Sequence, residues 1–129
     1  ATQPAIAALA LYDGAGAAEA LGDEGQMLAN LQDALTHQQD LPMEIRLAAL
    51  PARLAVAYTK VSQPADALKA RAQAEQGIAQ LKAQNLPAGK WAELYFEMGS
   101  VSTNQISMEN FQANIDSFAE AQIFLLKAI

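Results

Sequence analysis

Leu11-Tyr12-Asp13-Gly14-Ala15-Gly16-Ala17-Ala18 is the stretch on which the fold reading turns. Within it, Leu11, Gly14, Ala15 and Ala18 form a quartet of small and apolar residues. The quartet returns at Pro51, Leu54, Ala55 and Tyr58, and again at Trp91, Leu94, Tyr95 and Met98, forty positions later each time. A fixed period of this size marks a chain built from repeated supersecondary units. Each quartet is followed by a second set whose intervals are four and then three residues: Met27, Leu31 and Ala34; Ala67, Arg71 and Ala74; Asn114, Phe118 and Ala121. Those intervals place three side chains on one helical face. The unit is therefore a pair of helices, repeated three times.

Composition agrees with an all-α chain. Apolar residues make up 52% of the 129 positions but aromatics only 6%, because much of the apolar count is alanine. Alanine is the strongest helix former and lets helices approach closely. No run of alternating apolar and polar residues argues for a sheet. A single domain over residues 1–129 is long enough to bury a core without cross-links. The absence of cysteine excludes disulfides, thiolate metal sites and a cysteine nucleophile. No apolar run is long enough to cross a bilayer, so no membrane insertion is expected, and no targeting signal assigns a compartment.

The net charge of −6 is unevenly spread. Residues 1–45 hold seven acids and no base, residues 46–90 seven bases and two acids, and residues 91–129 five acids and one base, giving −7, +5 and −4. An acidic total with eight Lys and Arg argues against nucleic acid, whose binding needs many phosphate contacts on one surface. The basic middle either complements its acidic neighbours or forms a strip facing an acidic ligand.

Local signals place six helices, in pairs over about residues 5–40, 43–85 and 88–128. The first runs from about Ala5 to Leu21, opened by Pro4 and stopped by Gly22. Asp23 caps the second, which reaches about Gln39, with Glu24 near its positive end. The third carries Ile45 to Lys60 with Pro51 inside it, predicting a kink or a true start near Leu50. Ser62 is read as the cap of a fourth helix that has Pro64 in its first turn and ends near Asn85. A fifth carries Trp91, Leu94, Tyr95 and Met98 to a stop at Gly99-Ser100, and Val101 to Ser107 reads as a loop. Ser107 would cap a last helix through Met108, Phe111, Ile115, Phe118, Ala121 and Leu125. The closing run from Ile123 to Ile129 is apolar on most sides, which predicts a homodimer or docking on a neighbouring segment.

The inventory for chemistry is thin. A catalytic site needs a nucleophile, base or metal cluster converging in a pocket. His37 is the sole histidine and reads as a helix-end residue, Asp23-Glu24 as capping, and Gly14-Ala15-Gly16 lacks the strand and lysine of a phosphate loop. Glu93 and Glu97 are a like-charged i, i+4 pair that faces solvent or a cation. Trp91 and Tyr95, also four apart, read as core, with Phe96 facing elsewhere. The expectation is no enzyme, no metal and no cofactor.

Laid side by side, the pairs resemble the tetratricopeptide repeat family. The likeness rests on Leu21-Gly22-Asp23 with Met27, Leu31 and Ala34-Leu35 in the first pair. Leu54-Ala55, Tyr58, Ala67 and Ala74 carry it in the second, and Trp91, Leu94, Phe118 and Ala121 in the third. The period is forty rather than the family's usual thirty-four or so. Arg71 stands where a large apolar residue is usual, Asn114 where a small one is, and about seven extra residues lie around Val101 to Ser107. The resemblance implies three antiparallel pairs stacked as a short right-handed superhelix that binds a protein or peptide segment.

It also implies a site. In that family the first helix of each pair lines a concave groove, which selects Tyr12, Asp13 and Glu19, then Arg53, Val56 and Lys60, then Glu93 and Phe96. The partner expected is an extended or helical segment with an acid over Arg53 and Lys60 and an apolar anchor near Val56 and Phe96. The lysine and asparagine clamp for a terminal carboxylate is absent, so that ligand is not implied. The alternative is a sensor or regulatory domain of a larger protein with a small ligand between its helices, signalled by a buried polar residue such as Arg71 or Asn114 lining a cavity.

Overall fold

The computed structural model describes residues 3–104 and residues 119, 122, 123 and 126. Helices are the regular elements of the described residues, which hold no strand, and five of them are α-helices: α1 Gln3–Ala20, α2 Glu24–Thr36, α3 Leu50–Lys60, α4 Pro64–Leu81 and α5 Ala88–Asn104. The sixth expected helix lies outside the described residues, apart from helical positions at 119, 122, 123 and 126.

The two complete pairs are hairpins with three-residue turns. At the first, Gly22 takes a φ of +78°, its N–H donates to the Glu19 carbonyl at 3.0 Å, and the Asp23 N–H donates to the Ala18 carbonyl at 2.9 Å. At the second, Ser62 takes a φ of 62°, its N–H donates to Thr59, and the Gln63 N–H donates to Tyr58 at 2.8 Å. Both are Schellman closures, in which a left-handed residue satisfies the last carbonyls of a helix. Ser62 therefore ends α3 rather than capping α4, whose N-cap Gln63 makes no side-chain bond. Asp23 does cap α2, accepting from the Gln26 N–H at 3.1 Å.

The core follows the repeat. Ala8 and Ala48, Ala15 and Ala55, and Ala34 and Ala74 are all buried at positions forty apart, and Met27, Leu31, Leu50, Leu81 and Val101 fill the space between helices. α1 packs on α2 and α3 on α4, while α2 and α5 both pack on α3. Trp91 and Tyr95 pack on the core with ring centroids 6.1 Å apart.

Three boundaries differ from expectation. α2 ends at Thr36 with His37 as its C-cap, and a 3₁₀ turn, Gln38–Asp40, follows. α4 ends at Leu81, its last buried residue, and the chain then tightens, with Gln84 N–H donating to Leu81. α5 runs through Gly99-Ser100 to Asn104, where a stop and a loop were expected. Val101 is fully buried and extends the stripe of Leu94 and Met98 by another turn, so packing overrides the local breakers.

Pro51 is accommodated by a change of pitch. A π-helical turn, Ile45–Ala49, precedes α3, and the Leu50 N–H donates five residues back to Ile45. Pro51 then falls in the first turn of α3, where it has no N–H to lose. Pro51, lacking an N–H, cannot donate to the carbonyl four residues back, that of Leu47. That carbonyl lies directly over Gly77 of α4, so close that a Cβ on Gly77 would overlap it.

Candidate interaction face

The first helices of the three pairs meet at one side chain. Arg53 sits in the middle of α3 and extends across the face that α3 shares with α1 and α5. From α1, Tyr12 offers its ring, with the guanidinium carbon 4.3 Å from the ring centroid. From α5, Glu97 Oε1 accepts from Arg53 Nε at 3.3 Å. A Cβ on Gly16 would stand 3.5 Å from Arg53 Nη1, ordinary contact, which shows how closely the arginine lies along α1. A cation over an aromatic face and a hydrogen-bonded carboxylate each favour the charged arginine.

Beside this trio the face opens into a cavity of about 250 Å³. Its lining adds Glu44, Ile45 and Ala49 from the approach to α3, and Lys90, Glu93 and Leu94 from α5. Lys90 Nζ lies 3.9 Å from Glu44 and 3.7 Å from Glu93. Arg53–Glu97 joins the basic middle of the chain to its acidic end, and Lys90–Glu44 joins it to the acidic start. Charge complementarity between neighbouring repeats is thus present at both points.

Burial shapes the electrostatics. It pushes the Tyr12 hydroxyl well above the ordinary tyrosine range, against the pull of Arg53. Burial works against the charge on Arg53, but Tyr12 and Glu97 outweigh it and raise its pKa. For Glu97, burial outweighs the attraction of Arg53, and its pKa lies above the ordinary glutamate value. Glu19 and Glu93 act on the same carboxylate and raise it further.

The expected groove residues are therefore only partly assembled. Tyr12, Arg53 and Glu93 line one cavity. Asp13 and Glu19 are exposed on α1 and close enough to act electrostatically on Tyr12 and Arg53 respectively. Phe96 is 55% exposed on α5. Lys60 ends α3, about two helical turns from Arg53, and does not line the cavity. Val56 is 2% exposed and belongs to the core, so it has no surface to offer as an anchor. Glu97 was missing from the expected groove, yet its spacing of four from Glu93 already put it on the same stripe of α5.

No family model, curated protein or solved structure matches the chain. Its chemistry has to be read from the geometry. Among the described residues, no three His, Asp or Glu side chains converge to hold a metal ion, and no helix is long and apolar enough to cross a membrane. Arg71, a signal for a small-ligand site, hydrogen-bonds within its own helix to Glu75 at 3.1 Å and lines neither this cavity nor those along α4. Asn114 lies outside the described residues.

Proposed function

We propose that the chain is a protein-interaction module that receives a partner segment on the face shared by α1, α3 and α5, and carries out no reaction of its own. The observation that supports this most is the meeting of Tyr12, Arg53 and Glu97, one from each first helix, beside an open cavity. Such a face is continuous across repeats, which is how stacked helix pairs present extended binding surfaces.

The charge on the face sets the partner's chemistry, and it reverses the acidic partner expected from Arg53 and Lys60. The charge of Arg53 is already met by Glu97, and Lys90 by Glu44 and Glu93. Asp13, Glu19, Glu44, Glu93 and Glu97 then stand against Arg53 and Lys90, five acids to two bases. The segment that fits carries lysine or arginine for this rim and one apolar side chain against Phe96. Rim charges govern association rate and salt dependence more than affinity. The C-terminal run adds a second, weaker element of this reading: Ile123 and Leu126 are 46% and 67% exposed, which supports docking or self-association there.

The test is to select binders for the folded chain from an unbiased library of displayed linear peptides. Basic sequences should be enriched, and Asp13→Lys with Glu93→Lys should weaken them while leaving helicity unchanged. Failure of basic sequences to be enriched, or basic binders indifferent to the double reversal, would reject the assignment.

A further inference from the structure

A second groove runs along the opposite side of α3. α2 and α4 are held apart by α3, and the gap opens into two adjoining cavities of about 420 Å³ and 160 Å³ that share Leu35, Leu54 and Gln73. None of their lining residues belongs to the Arg53 cavity. The floor is apolar, built from Leu47, Pro51 and Leu54. The wall is amide: Gln73, Gln76 and Gln80 succeed one another along α4 at intervals of three and four, and Gln38 faces the larger cavity from the 3₁₀ turn. None of these carboxamides hydrogen-bonds to another described residue. Arg46 lines the same cavity and makes no ion pair with a described residue, whereas Asp66 and Lys69 at the far end carry opposite charges.

We propose that this groove binds an extended peptide segment, holding its backbone through the α4 glutamines and taking one of its carboxylates on Arg46. A carboxamide presents the same donor and acceptor pair as a peptide group, so a row of them pairs with the N–H and C=O groups of an extended chain of any sequence. A helical ligand has spent those groups internally and would leave the row unmatched. The apolar floor takes alternate side chains of the strand, as in other modes of extended-peptide recognition. The length agrees: the fifteen helical residues from Asp66 to Gln80, fourteen steps of rise, span about 21 Å, the reach of about six extended residues. Charge fixes the register, because Arg46 is the one charged side chain among the described residues lining the larger cavity and its planar fork suits a carboxylate. A single such cation is too few for a phosphate backbone, which favours peptide over nucleic acid.

The experiment presents the whole chain with two pools, displayed linear decapeptides and random single-stranded RNA. Winners are measured against the triple variant Gln73→Ala, Gln76→Ala and Gln80→Ala, and against Arg46→Ala and Asp13→Lys with Glu93→Lys. Beside the basic class that depends on Asp13 and Glu93, the proposal expects a class of acid-bearing peptides that bind the triple variant at least about tenfold more weakly and lose affinity with Arg46→Ala, but are unmoved by the α1/α5 reversal. A synthetic copy methylated on alternate backbone nitrogens should also lose at least about tenfold, because it keeps the side chains and removes N–H donors. Alanine favours helix, so circular dichroism should show the triple variant folded; should it fail, Gln76→Ala alone and the methylated peptide carry the test. Acid-bearing peptides indifferent to the glutamines, no acid-bearing class among the winners, a methylated copy that binds equally well, or glutamine-dependent RNA would each overturn the proposal. The groove around Arg53 stands or falls separately, on Asp13 and Glu93.

Discussion

α1 and α2 reverse direction through Leu21-Gly22-Asp23, and forty residues later α3 and α4 reverse through Val61-Ser62-Gln63 with the same closing hydrogen bonds. The first hairpin has a glycine in the left-handed position and an aspartate cap, and the second has neither. The second has instead a close crossing, where the Leu47 carbonyl lies over Gly77, while Gly14 in the first pair meets only the end of the Asn30 side chain. One backbone plan is therefore held by local turn chemistry in one pair and by a close approach of backbones in the other.

The sharpest way to break this contrast is to add the same methyl group to both crossings. Gly77→Ala drives a Cβ into the Leu47 carbonyl, which cannot move without shifting α3 against α4, and should cost about 3 kcal/mol or more. Gly14→Ala brings its Cβ to 3.1 Å from Asn30 Nδ2, the far end of a side chain that can swing away. There the higher helix propensity of alanine prevails, and the change should be neutral to stabilising by up to about 1 kcal/mol. Urea unfolding midpoints at constant slope would measure both. Equal losses at the two sites would show that the crossings are alike after all.

The turns come next in size. Gly22→Ala forces a side chain into the left-handed region and should cost about 1 kcal/mol, whereas Ser62→Gly removes that strain and should gain about as much. Capping follows the same logic: Asp23→Ala loses the bond to Gln26 N–H, about 1 kcal/mol, and Gln63→Asp should gain up to that amount by supplying one. Thermal unfolding of the four variants would show the hairpins exchanging their strengths; no gain at Ser62 or Gln63 would mean the second turn is already satisfied in some other way.

The period of forty made both turns legible, because it aligns Gly22 with Ser62 and Asp23 with Gln63, and the pairing of small core residues followed from it. What the pattern lacked was any sign of how strain would be shared. Pro51 announced a disturbance, but a proline alone does not say that it will be absorbed by a π turn before it rather than by a kink at it. Gly99-Ser100 read as a stop because local propensity was weighed without Val101, whose full burial carries the helix onward. At the candidate site, Tyr12, Arg53 and Glu93, which line one cavity, come from the face that the resemblance implies. Glu97 was left out of the groove because its pairing with Glu93 reads as facing either solvent or a cation, and the spacing alone does not say that Arg53 of α3 supplies that cation. Val56 was misjudged for the opposite reason: an apolar residue on a helix touching three neighbours is more useful inside than on the rim.

The smallest effect concerns Glu97, where the basic second pair meets the acidic third. Burial raises its folded pKa above the ordinary glutamate value, despite Arg53 at 3.3 Å. The native state therefore holds a proton more tightly than the unfolded chain does. Between the raised folded value and the ordinary one, native molecules carry more protons, so stability from this group rises as pH falls. The gain is complete below the ordinary value and absent above the folded one. Other carboxylates impose slopes of their own, so the measurement is the difference between the wild type and Glu97→Gln across the range from about pH 7 to about pH 4. That difference should move in favour of the wild type on acidification. The side chains of Arg53 and Glu97 are 26% and 21% exposed, and water weakens both the attraction and the burial term, so the movement should be modest. A difference that moves the other way would show that Arg53 lowers the Glu97 pKa more than burial raises it, and that the arginine is held as a strong ion pair rather than by its place between Tyr12 and a costly buried carboxylate.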